Sequence, residues 1–274
     1  GGDDIFTGYR SHLALNYEGL FRWLPRPALS KLAAVSERLD QRNPFFRRIS
    51  KLLSGLELTG DARLVSYLAW AKESELLGLY SREFRSQLES TIAATPMFDF
   101  LEGVPSSASS LERMLLLEQR FFLTDHNLTY TDKMSMAAGV EVRVPYLDLD
   151  LVEFAAQIPV KYKQRGSVGK WVLKKAMEPY LPKEVIYRPK TGFGAPLRRW
   201  IRFELRELIG DILSEESLNK RKIFDPKSVQ GLIKKNDTGI VDASYTLLSL
   251  MCIEIWCRQF IDGRFNYQKV YRSI

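Results

Sequence analysis

Apolar residues recur along most of this chain at the three- and four-residue spacing of amphipathic helices, and this periodicity restricts the fold most strongly. Ser109 and Glu112 form a capping-box pattern at one helix start, and Asp148 can cap a second helix that Pro159 would end. The apolar stripes of these two helices are Leu111, Met114, Leu115, Phe121 and Phe122, and Leu151, Phe154, Ala155 and Ile158. Alternating strand patterns are nearly absent, and only residues 140–144 are expected to be extended. The sequence therefore predicts a mainly α-helical fold.

The length and composition allow a sizeable folded core. The chain has 274 residues, of which 45% are hydrophobic, so it can fold as one large domain or as two small ones. Further helices are predicted over residues 61–79, 169–180, 196–213 and 244–261. Residues 102–110 are rich in Ser, Gly and Pro, a composition that predicts a loop.

The net charge of +7 and the isoelectric point near 9.3 raise the question of nucleic-acid binding. The positive residues are spread along the chain and many alternate with Asp or Glu, and only residues 41–51 are locally basic. Such a run is typical of a solvated helix face or loop. Because no nucleic-acid-binding motif is present, we expect the positive surface to attract ATP or another small anion and not DNA or RNA.

The cysteines and histidines do not form a pattern of metal ligands. Cys252 and Cys257 lie five residues apart in an apolar segment, and this spacing matches neither a metal site nor a redox pair. We expect both to be buried thiols of a reduced, cytoplasmic protein. His12 and His126 are too few for a histidine-based zinc site.

No apolar segment reaches the roughly 20 residues needed to cross a bilayer. The best candidate, residues 245–260, contains Glu254 and Arg258 and is predicted to be a buried helix of a soluble protein. A membrane partner is therefore not expected.

Three blocks of sequence contain residue types suited to phosphate chemistry. The opening block, residues 1–9, begins with Gly1, Gly2, Asp3 and Asp4. Glycines let the backbone approach a phosphate closely, and an aspartate can hold the Mg²⁺ that accompanies it. The same four residues also suit an ordinary turn.

The middle block, residues 132–148, contains Glu141 and Arg143. If residues 140–144 are extended, these two side chains point the same way. They could form a structural ion pair, or Arg143 could face an anionic ligand, and the sequence leaves both interpretations open.

The third block, residues 170–193, ends with Arg188, Pro189, Lys190, Thr191, Gly192 and Phe193. Pro189 restricts the backbone before Lys190 and Gly192 permits a sharp bend, so Lys190 is predicted to lie on a constrained loop. A lysine held there can bind phosphates of ATP and stabilise charge in a transition state. Taken alone it would more often be an exposed loop charge, and the other two blocks favour the catalytic interpretation.

In this order the three blocks resemble the synthetase domain of the glutamine-hydrolysing asparagine synthetase family. The opening block is similar to the family motif Ser-Gly-(Asp or Glu)-Gly-x-Asp-Glu-hydrophobic-Phe-x-Gly-Tyr, with Asp4 in place of the glutamate. The middle block is similar to Asp-Arg-Met-Ser-Met-Ala followed by Glu-Val-Arg-Val-Pro-Phe-Leu-Asp, with Lys133 in place of the first arginine. The third block is similar to the carboxyl-terminal signature of the family. The resemblance covers the whole chain and is weakest over residues 20–110.

The resemblance implies roles for individual residues. Asp3 is implied to be a ligand of Mg²⁺ at the phosphates of ATP. The residues with implied catalytic roles are Lys190, Asp125 and Glu141. Those with implied contacts to ATP or pyrophosphate are Gly1, Gly2, Arg143, Lys170 and Arg188.

The implied fold is the helical carboxyl-terminal portion of an α/β adenine-nucleotide alpha-hydrolase-like synthetase domain, a pyrophosphate-loop ATPase, and it takes in residues 1–274. Members of the family carry an upstream pyrophosphate loop and an N-terminal glutaminase domain with a cysteine nucleophile. Neither Cys252 nor Cys257 can take that role, because both fall in the last predicted helix. We therefore expect a chain truncated upstream, part of a longer parent and inactive in isolation. The resemblance also allows a homodimer.

The implied activity is that of a cytoplasmic ligase that forms an amide through an acyl-adenylate, using ATP and Mg²⁺. Aspartate would become asparagine, with ammonia supplied from glutamine. One alternative is a sister amidotransferase that acts on another carboxylate. A second alternative is a non-catalytic helical docking module derived from such an enzyme, against which the retained Asp3, Glu141, Arg143 and Lys190 argue.

Overall fold

The computed structural model describes residues 1–17, 19, 25–40, 43–88, 92–189 and 194–263. The chain is mainly α-helical, as predicted, and forms two compact units. Unit 1 comprises Gly1–Ala34, Lys51–Ala69 and Ala93–Gly192. Unit 2 comprises Val35–Ser50, Trp70–Ile92 and Phe193–Ile274.

The described helices follow one another with short connections. In chain order they are α1 (Gly2–Phe6), α2 (Arg10–Asn16), α3 (Arg26–Glu37), α4 (Pro44–Glu57), α5 (Gly60–Leu68), α6 (Glu73–Leu77), α7 (Arg82–Gln87), α8 (Thr95–Glu102), α9 (Ser110–Leu117), α10 (Thr129–Ala137), α11 (Leu149–Gln157), α12 (Val160–Lys163), α13 (Trp171–Met177), α14 (Lys183–Ile186), α15 (Leu197–Arg202), α16 (Arg206–Ile212), α17 (Glu215–Arg221), α18 (Pro226–Thr238) and α19 (Ser244–Trp256). Two π-helices, π1 (Glu118–Leu128) and π2 (Cys257–Ile261), continue α9 and α19. Helices α3 and α4 have residues in both units.

Within the described residues, the strands form one antiparallel hairpin of β1 (Gln164–Arg165) and β2 (Val168–Gly169). Residues 140–144, which the sequence predicts to be extended, belong to no strand and lead into a 3-10 turn at Pro145–Leu147. A strand requires a partner for its backbone hydrogen bonds, and no described segment pairs with residues 140–144. The hairpin is important for the site below because β2 ends immediately before Lys170.

The helix starts predicted at Ser109 and Asp148 are confirmed. The Ser109 hydroxyl accepts a hydrogen bond from the Glu112 amide at 3.3 Å, and the Glu112 carboxylate accepts one from the Ser109 amide at 2.7 Å. The Asp148 carboxylate accepts the amide of Leu151 at 3.3 Å. Residues 103–109 lie between α8 and α9 and outside any helix, in agreement with the loop predicted over residues 102–110.

Unit 1 contains two hydrophobic clusters. The first consists of Leu15, Leu64, Val65, Leu101, Leu111, Met114 and Leu117. The second consists of Ile5, Phe6 and Ala155, with Leu151, Val152, Ile158, Val172 and Leu173 packed against it. Phe154 was expected on the buried face of α11, but it is exposed, and Val152 packs against the cluster instead. The difference arises because neighbours from α1 and α13 decide which side of α11 is covered, and the periodicity of α11 does not locate them.

Unit 2 has one large hydrophobic cluster, in which α19 is central. Its buried residues are Leu79, Leu197, Ile201, Ile209, Ile212, Leu213, Leu218, Phe224, Val229, Ala243, Leu247, Leu250 and Met251. Cys257 is buried, as expected. Cys252 is exposed, contrary to expectation, because it lies off the stripe of α19 that carries Leu247, Leu250 and Met251.

Glu254 lies in the apolar helix α19 and is 6% exposed. Its carboxylate accepts hydrogen bonds from Arg221 Nε at 2.9 Å and from Arg258 Nε at 3.0 Å. These two guanidinium groups compensate the buried charge, and Arg221 also pairs with Asp262 at 3.0 Å. Of the helices in the described ranges, none combines the length and apolar character that spanning a membrane requires.

Candidate active site

The turn that follows α1 is held in a strained conformation. Thr7 has φ 72° and ψ 169°, although a β-branched residue strongly disfavours positive φ. Two hydrogen bonds hold it there: its hydroxyl donates to the carbonyl of Lys163 at 3.1 Å and accepts from the amide of Lys170 at 3.1 Å. Thr7 is fully buried. Strain of this kind persists where the surroundings enforce it, and it is concentrated at functional sites.

Lys170 joins the opening block to the third block. Its backbone is left-handed, with φ 55°, and its amide also donates to the carbonyl of Phe6 at 3.1 Å. From this position its ammonium lies 2.9 Å from Asp3 Oδ1. The side chains of both residues are about one-quarter exposed. The structure therefore brings together two residues that the sequence assigned to the phosphate site, and solvent reaches both.

Gly8 leaves the space that this ion pair occupies. Its φ is 150°, and a β-carbon at this position would overlap Asp3 Oδ1 and lie 2.8 Å from Lys170 Cε. Gly169 is similarly enclosed, since a β-carbon there would lie 3.2 Å from both Gly8 Cα and Thr7 Oγ1. Glycine at position 8 is thus required for the close approach of Asp3 and Lys170.

Asp4 is fully buried in the protein, whereas Asp3 is partly exposed. The Asp4 carboxylate accepts a hydrogen bond from the hydroxyl of Tyr9 at 3.1 Å. Burial, followed by the charges of Asp4 and Asp3, raises the pKa of Tyr9, so its phenol stays protonated and donates. The Gln119 amide donates to the carbonyl of Asp4 at 3.2 Å and attaches α1 to π1.

His12 and Glu118 form a buried pair next to the turn, which the sequence pattern does not predict. His12 Nδ1 accepts hydrogen bonds from the amides of Gly8 at 3.0 Å and Tyr9 at 3.3 Å. Since Nδ1 is an acceptor, the proton lies on Nε2, which donates to Glu118 Oε2 at 2.5 Å. Burial raises the pKa of Glu118, and the hydrogen bond from His12 opposes this shift.

One signal could have identified this pair. Glu118 follows the apolar stripe Leu111, Met114 and Leu115 at helical spacing, where a carboxylate needs a buried partner. Which residue supplies that partner depends on a contact across 106 positions, and the spacing alone does not reveal it. Glu118 and Gln119 are the first residues of π1, and π-helical segments frequently occur at functional sites.

A second lysine adds positive charge to the site. Lys174 lies one turn beyond Lys170 on α13. Burial and the charge of Lys170 lower the pKa of Lys174, while Asp3 opposes this change. Lys174 and Lys170 are therefore close enough to interact, and an anion placed beside them would relieve their repulsion.

Asp3 is the carboxylate best suited to Mg²⁺. Asp4 is turned inward and engaged by Tyr9, whereas Asp3 is partly exposed and already lies against a cation. Mg²⁺ is commonly held by one or two carboxylates together with phosphate oxygens and water, and Asp3 fits that requirement. Across the described ranges, no group of three or more His, Cys, Asp or Glu side chains could hold a metal ion.

The other predicted site residues are exposed. Arg143 and Glu141 form an ion pair with each other at 2.6 Å, and their side chains are 83% and 66% exposed. Asp125 lies on π1 and pairs with Arg120 at 3.3 Å. Arg188 is also exposed. The described contacts do not join any of these four residues to Asp3 or Lys170.

Lys190, the residue with the principal predicted catalytic role, lies outside the described residues. Gly1 and Gly2 lie against the 3-10 turn of the middle block. A β-carbon on Gly1 would be 3.1 Å from Leu147 Cδ2, and one on Gly2 would be 3.7 Å from Tyr146 Cγ. The opening block is therefore in contact with both the middle and the third block.

Comparisons with known proteins identify the family of the chain. The family model described as asparagine synthase matches residues 1–258. The chain is 28% identical over 270 residues to a putative glutamine-hydrolyzing asparagine synthetase of Mycobacterium tuberculosis, covering 96% of this chain and 39% of that protein. It is 30% identical over 232 residues to the glutamine-hydrolyzing asparagine synthetase 3 of Bacillus subtilis, covering 85% of this chain and 31% of the relative.

The chain thus spans less than two-fifths of the length of these relatives. No solved structure matches it. The family model covers most of the chain, including all three sequence blocks, and its match includes Asp3, Thr7, Gly8 and Lys170, which the structure brings together. The chain belongs to the asparagine synthase family, a family of ligases in asparagine biosynthesis.

Proposed function

We propose that this chain supplies part of an ATP-dependent amide-forming site at Asp3, Lys170 and the turn of Thr7 and Gly8. The observation that supports it most is the partly exposed ion pair of Asp3 and Lys170. Two residues with positive φ, Thr7 and Lys170, hold this pair in place although they are 163 positions apart. A surface ion pair that only stabilises the fold contributes about 0–1 kcal/mol. The backbone strain at Thr7 and Lys170 costs more than that, so stabilisation alone does not account for the pair.

The proposed reaction has two steps. A carboxylate oxygen of the substrate attacks the α-phosphorus of ATP, and the bond from that phosphorus to the pyrophosphate oxygen breaks. The nitrogen of ammonia then attacks the carbonyl carbon of the acyl-adenylate, the bond from this carbon to the AMP oxygen breaks, and the nitrogen loses a proton. Aspartate and asparagine are the proposed substrate and product, and glutamine is the proposed source of ammonia, in keeping with the names of the relatives.

The residues of the chain would act mainly by binding and positioning phosphates. Lys170, assisted by Lys174, would leave Asp3 to contact a phosphate of ATP, and Asp3 would then hold Mg²⁺. Bound there, Mg²⁺ would neutralise charge on the phosphates. The buried pair of His12 and Glu118 would hold the amides of Gly8 and Tyr9 in place.

The remaining roles stay predictions from the sequence. We propose Lys190 as the cation that stabilises charge in both steps. We propose Asp125 and Glu141 as further catalytic groups. Gly1, Gly2, Arg143 and Arg188 would contact ATP or pyrophosphate. Asp125 and Glu141 each form an exposed ion pair with an arginine. To act on the substrate, each carboxylate would have to separate from its arginine.

We further propose that the working enzyme is longer than this chain. It would include a pyrophosphate loop and a glutaminase domain in addition to this chain. The complete synthetase domain would have the α/β adenine-nucleotide alpha-hydrolase-like fold. The enzyme would be cytoplasmic and could be a homodimer. The fraction of the relatives that the chain covers supports this proposal. The isolated 274 residues should then release no pyrophosphate with ATP, Mg²⁺, aspartate and ammonium, and turnover above background would refute that expectation.

The direct test measures pyrophosphate release by the full reading frame with ATP, Mg²⁺, aspartate and ammonium. Lys170→Gln and Lys190→Ala should each lower the rate by a factor of about 100 or more, the scale seen when a group that stabilises the transition state is removed. Lys175→Gln is the matched control, because Lys175 is exposed, lies on α13 shortly after Lys170 and pairs with Glu178 at 2.7 Å. The control should stay within about twofold of the wild type.

The carboxylate substrate is tested in the same assay. Release with another carboxylate but not with aspartate would identify a sister amidotransferase that uses the same site. No release with any carboxylate would refute the enzymatic proposal and leave the docking module as the better account.

A further inference from the structure

Unit 2 contains a pocket that shares no residue with the proposed active site, and four arginines are among its described lining residues. Its volume is about 320 Å³, within the range of small-molecule sites. The lining residues are Arg47, Arg198, Arg199, Arg202, Phe203, Asn236, Val241, Asp242 and Ser244. All of them belong to unit 2, so this pocket lies within one compact unit.

The positive charge in the pocket exceeds the negative charge. Asp242 is the one carboxylate among the described lining residues, and one of its oxygens lies 2.6 Å from Arg198 Nε and 3.3 Å from Arg47 Nε. Arg199 pairs with Glu204 at 2.9 Å, and the side chain of Arg199 is 72% exposed. Burial and the charge of Arg198 lower the pKa of Arg47. The arginines are thus crowded, and they outnumber the described carboxylate of the lining.

A buried amide at the pocket provides an independent second observation. Asn236 is 3% exposed, and its Oδ1 accepts the amide of Ala243 at 3.0 Å, which fixes the orientation of the side chain. Its Nδ2 donates to no acceptor in the described part of the chain. A buried donor without a partner costs about 1–3 kcal/mol, which an anion bound in the pocket could offset.

We propose that this arginine pocket binds a phosphate dianion carried by a small molecule. Guanidinium groups present planar pairs of donors that match the oxygens of phosphate, and several of them together favour a dianion over a monoanion. Phe203 and Val241 add apolar surface beside the arginines, which suits the organic part of a phosphate monoester. The function of this site is separate from amide formation, because none of its residues belongs to the three sequence blocks of the proposed active site.

The test is calorimetric titration of the 274-residue chain with inorganic phosphate and with phenyl phosphate at constant ionic strength. We expect saturable binding at one site per chain. Arg202→Gln and Arg199→Gln should each weaken binding by about tenfold, the change expected when one charge-assisted hydrogen bond is lost. Arg199→Gln is the safer variant for folding because that side chain is the more exposed.

Two controls separate this pocket from other positive surface. Arg206→Gln makes the same change in charge at an exposed position of unit 2 that does not line the pocket, and it should leave affinity unchanged. Lys175→Gln should also leave affinity unchanged, because Lys175 is exposed and does not line the pocket. Tighter binding of phenyl phosphate would indicate a monoester as the source of the dianion, and equal binding would indicate free phosphate.

The proposal is overturned if no saturation occurs below about 10 mM phosphate. It is equally overturned if both pocket variants bind as the wild type does, or if Arg206→Gln or Lys175→Gln weakens binding as much as they do.

Discussion

Replacing Gly8 by alanine tests whether the turn after α1 is built around the ion pair of Asp3 and Lys170. The new β-carbon would overlap Asp3 Oδ1 and lie 2.8 Å from Lys170 Cε. The Thr7 hydroxyl accepts the Lys170 amide, and His12 accepts the amides of Gly8 and Tyr9, so the turn has little freedom to relax. The two charged side chains would have to separate.

The cost of this substitution has two main parts. A non-glycine residue in the strained backbone region of Gly8 costs about 1–3 kcal/mol, and overpacking typically costs a further 1–3 kcal/mol. Loss of the partly exposed ion pair adds at most about 1 kcal/mol. With some relaxation of the Asp3 side chain, we expect the free energy of unfolding to fall by about 2–5 kcal/mol.

Urea unfolding followed by circular dichroism measures this change. Gly103→Ala is the matched control in unit 1, because Gly103 has φ −75° and its β-carbon would meet only the carbonyl of Phe100, at 3.5 Å. The control should stay within about 0.5 kcal/mol of the wild type. Hydrogen exchange at the amides of Gly8 and Tyr9, which donate to His12, should be faster in Gly8→Ala. Equal stability of the two variants would refute the assignment of Gly8 to this role.

Three further outcomes follow from the structure. Burial raises the pKa of Glu118 in the folded chain, so the neutral carboxyl is favoured there. The wild type should therefore lose stability relative to Glu118→Gln as the pH rises from the unfolded pKa of about 4.3 through the raised folded pKa. Urea unfolding at several pH values measures this loss. Thr7→Val removes the hydroxyl that bonds to Lys163 and Lys170, so the free energy of unfolding measured in urea should fall by about 1–3 kcal/mol. Thr7→Ser keeps a hydroxyl and should lose less. Arg221→Ala leaves the buried Glu254 with fewer partners and should lower the free energy of unfolding by about 3–5 kcal/mol, with the exposed Arg206→Ala near zero as the control.

Local patterns predicted much of the helical architecture. The cap at Ser109 needs only Glu112 three residues later, and the cap at Asp148 needs only the amide of Leu151, so both can be recognised within one turn of sequence. The loop over residues 102–110 is marked by its composition. Such features depend on neighbours in the chain and not on the rest of the fold.

Long-range contacts set the limit of sequence reasoning. The sequence indicated Asp3 and Lys170 as separate phosphate-site residues, but not that each is the partner of the other. The pairing of His12 with Glu118 was missed because it depends on which helices pack together. The exposure of Cys252 likewise depends on which face of α19 meets the core of unit 2, and its apolar surroundings in sequence do not determine this.

The hydrogen bond between Thr7 and Lys170 also has a consequence for the order of folding. It closes a loop of 163 residues, for which the entropy of closure alone is about 4.5 kcal/mol, on top of a constant term. The opening block cannot recover this cost locally, because α1 has only five residues and is too short to be stable alone. The strained turn should therefore form late, after α12, the hairpin and α13 have assembled. Since Thr7 has its other hydrogen bond with Lys163, melting of the segment from Lys163 to Lys170 would release both anchors of the turn at once. Loss of the site would then precede global unfolding.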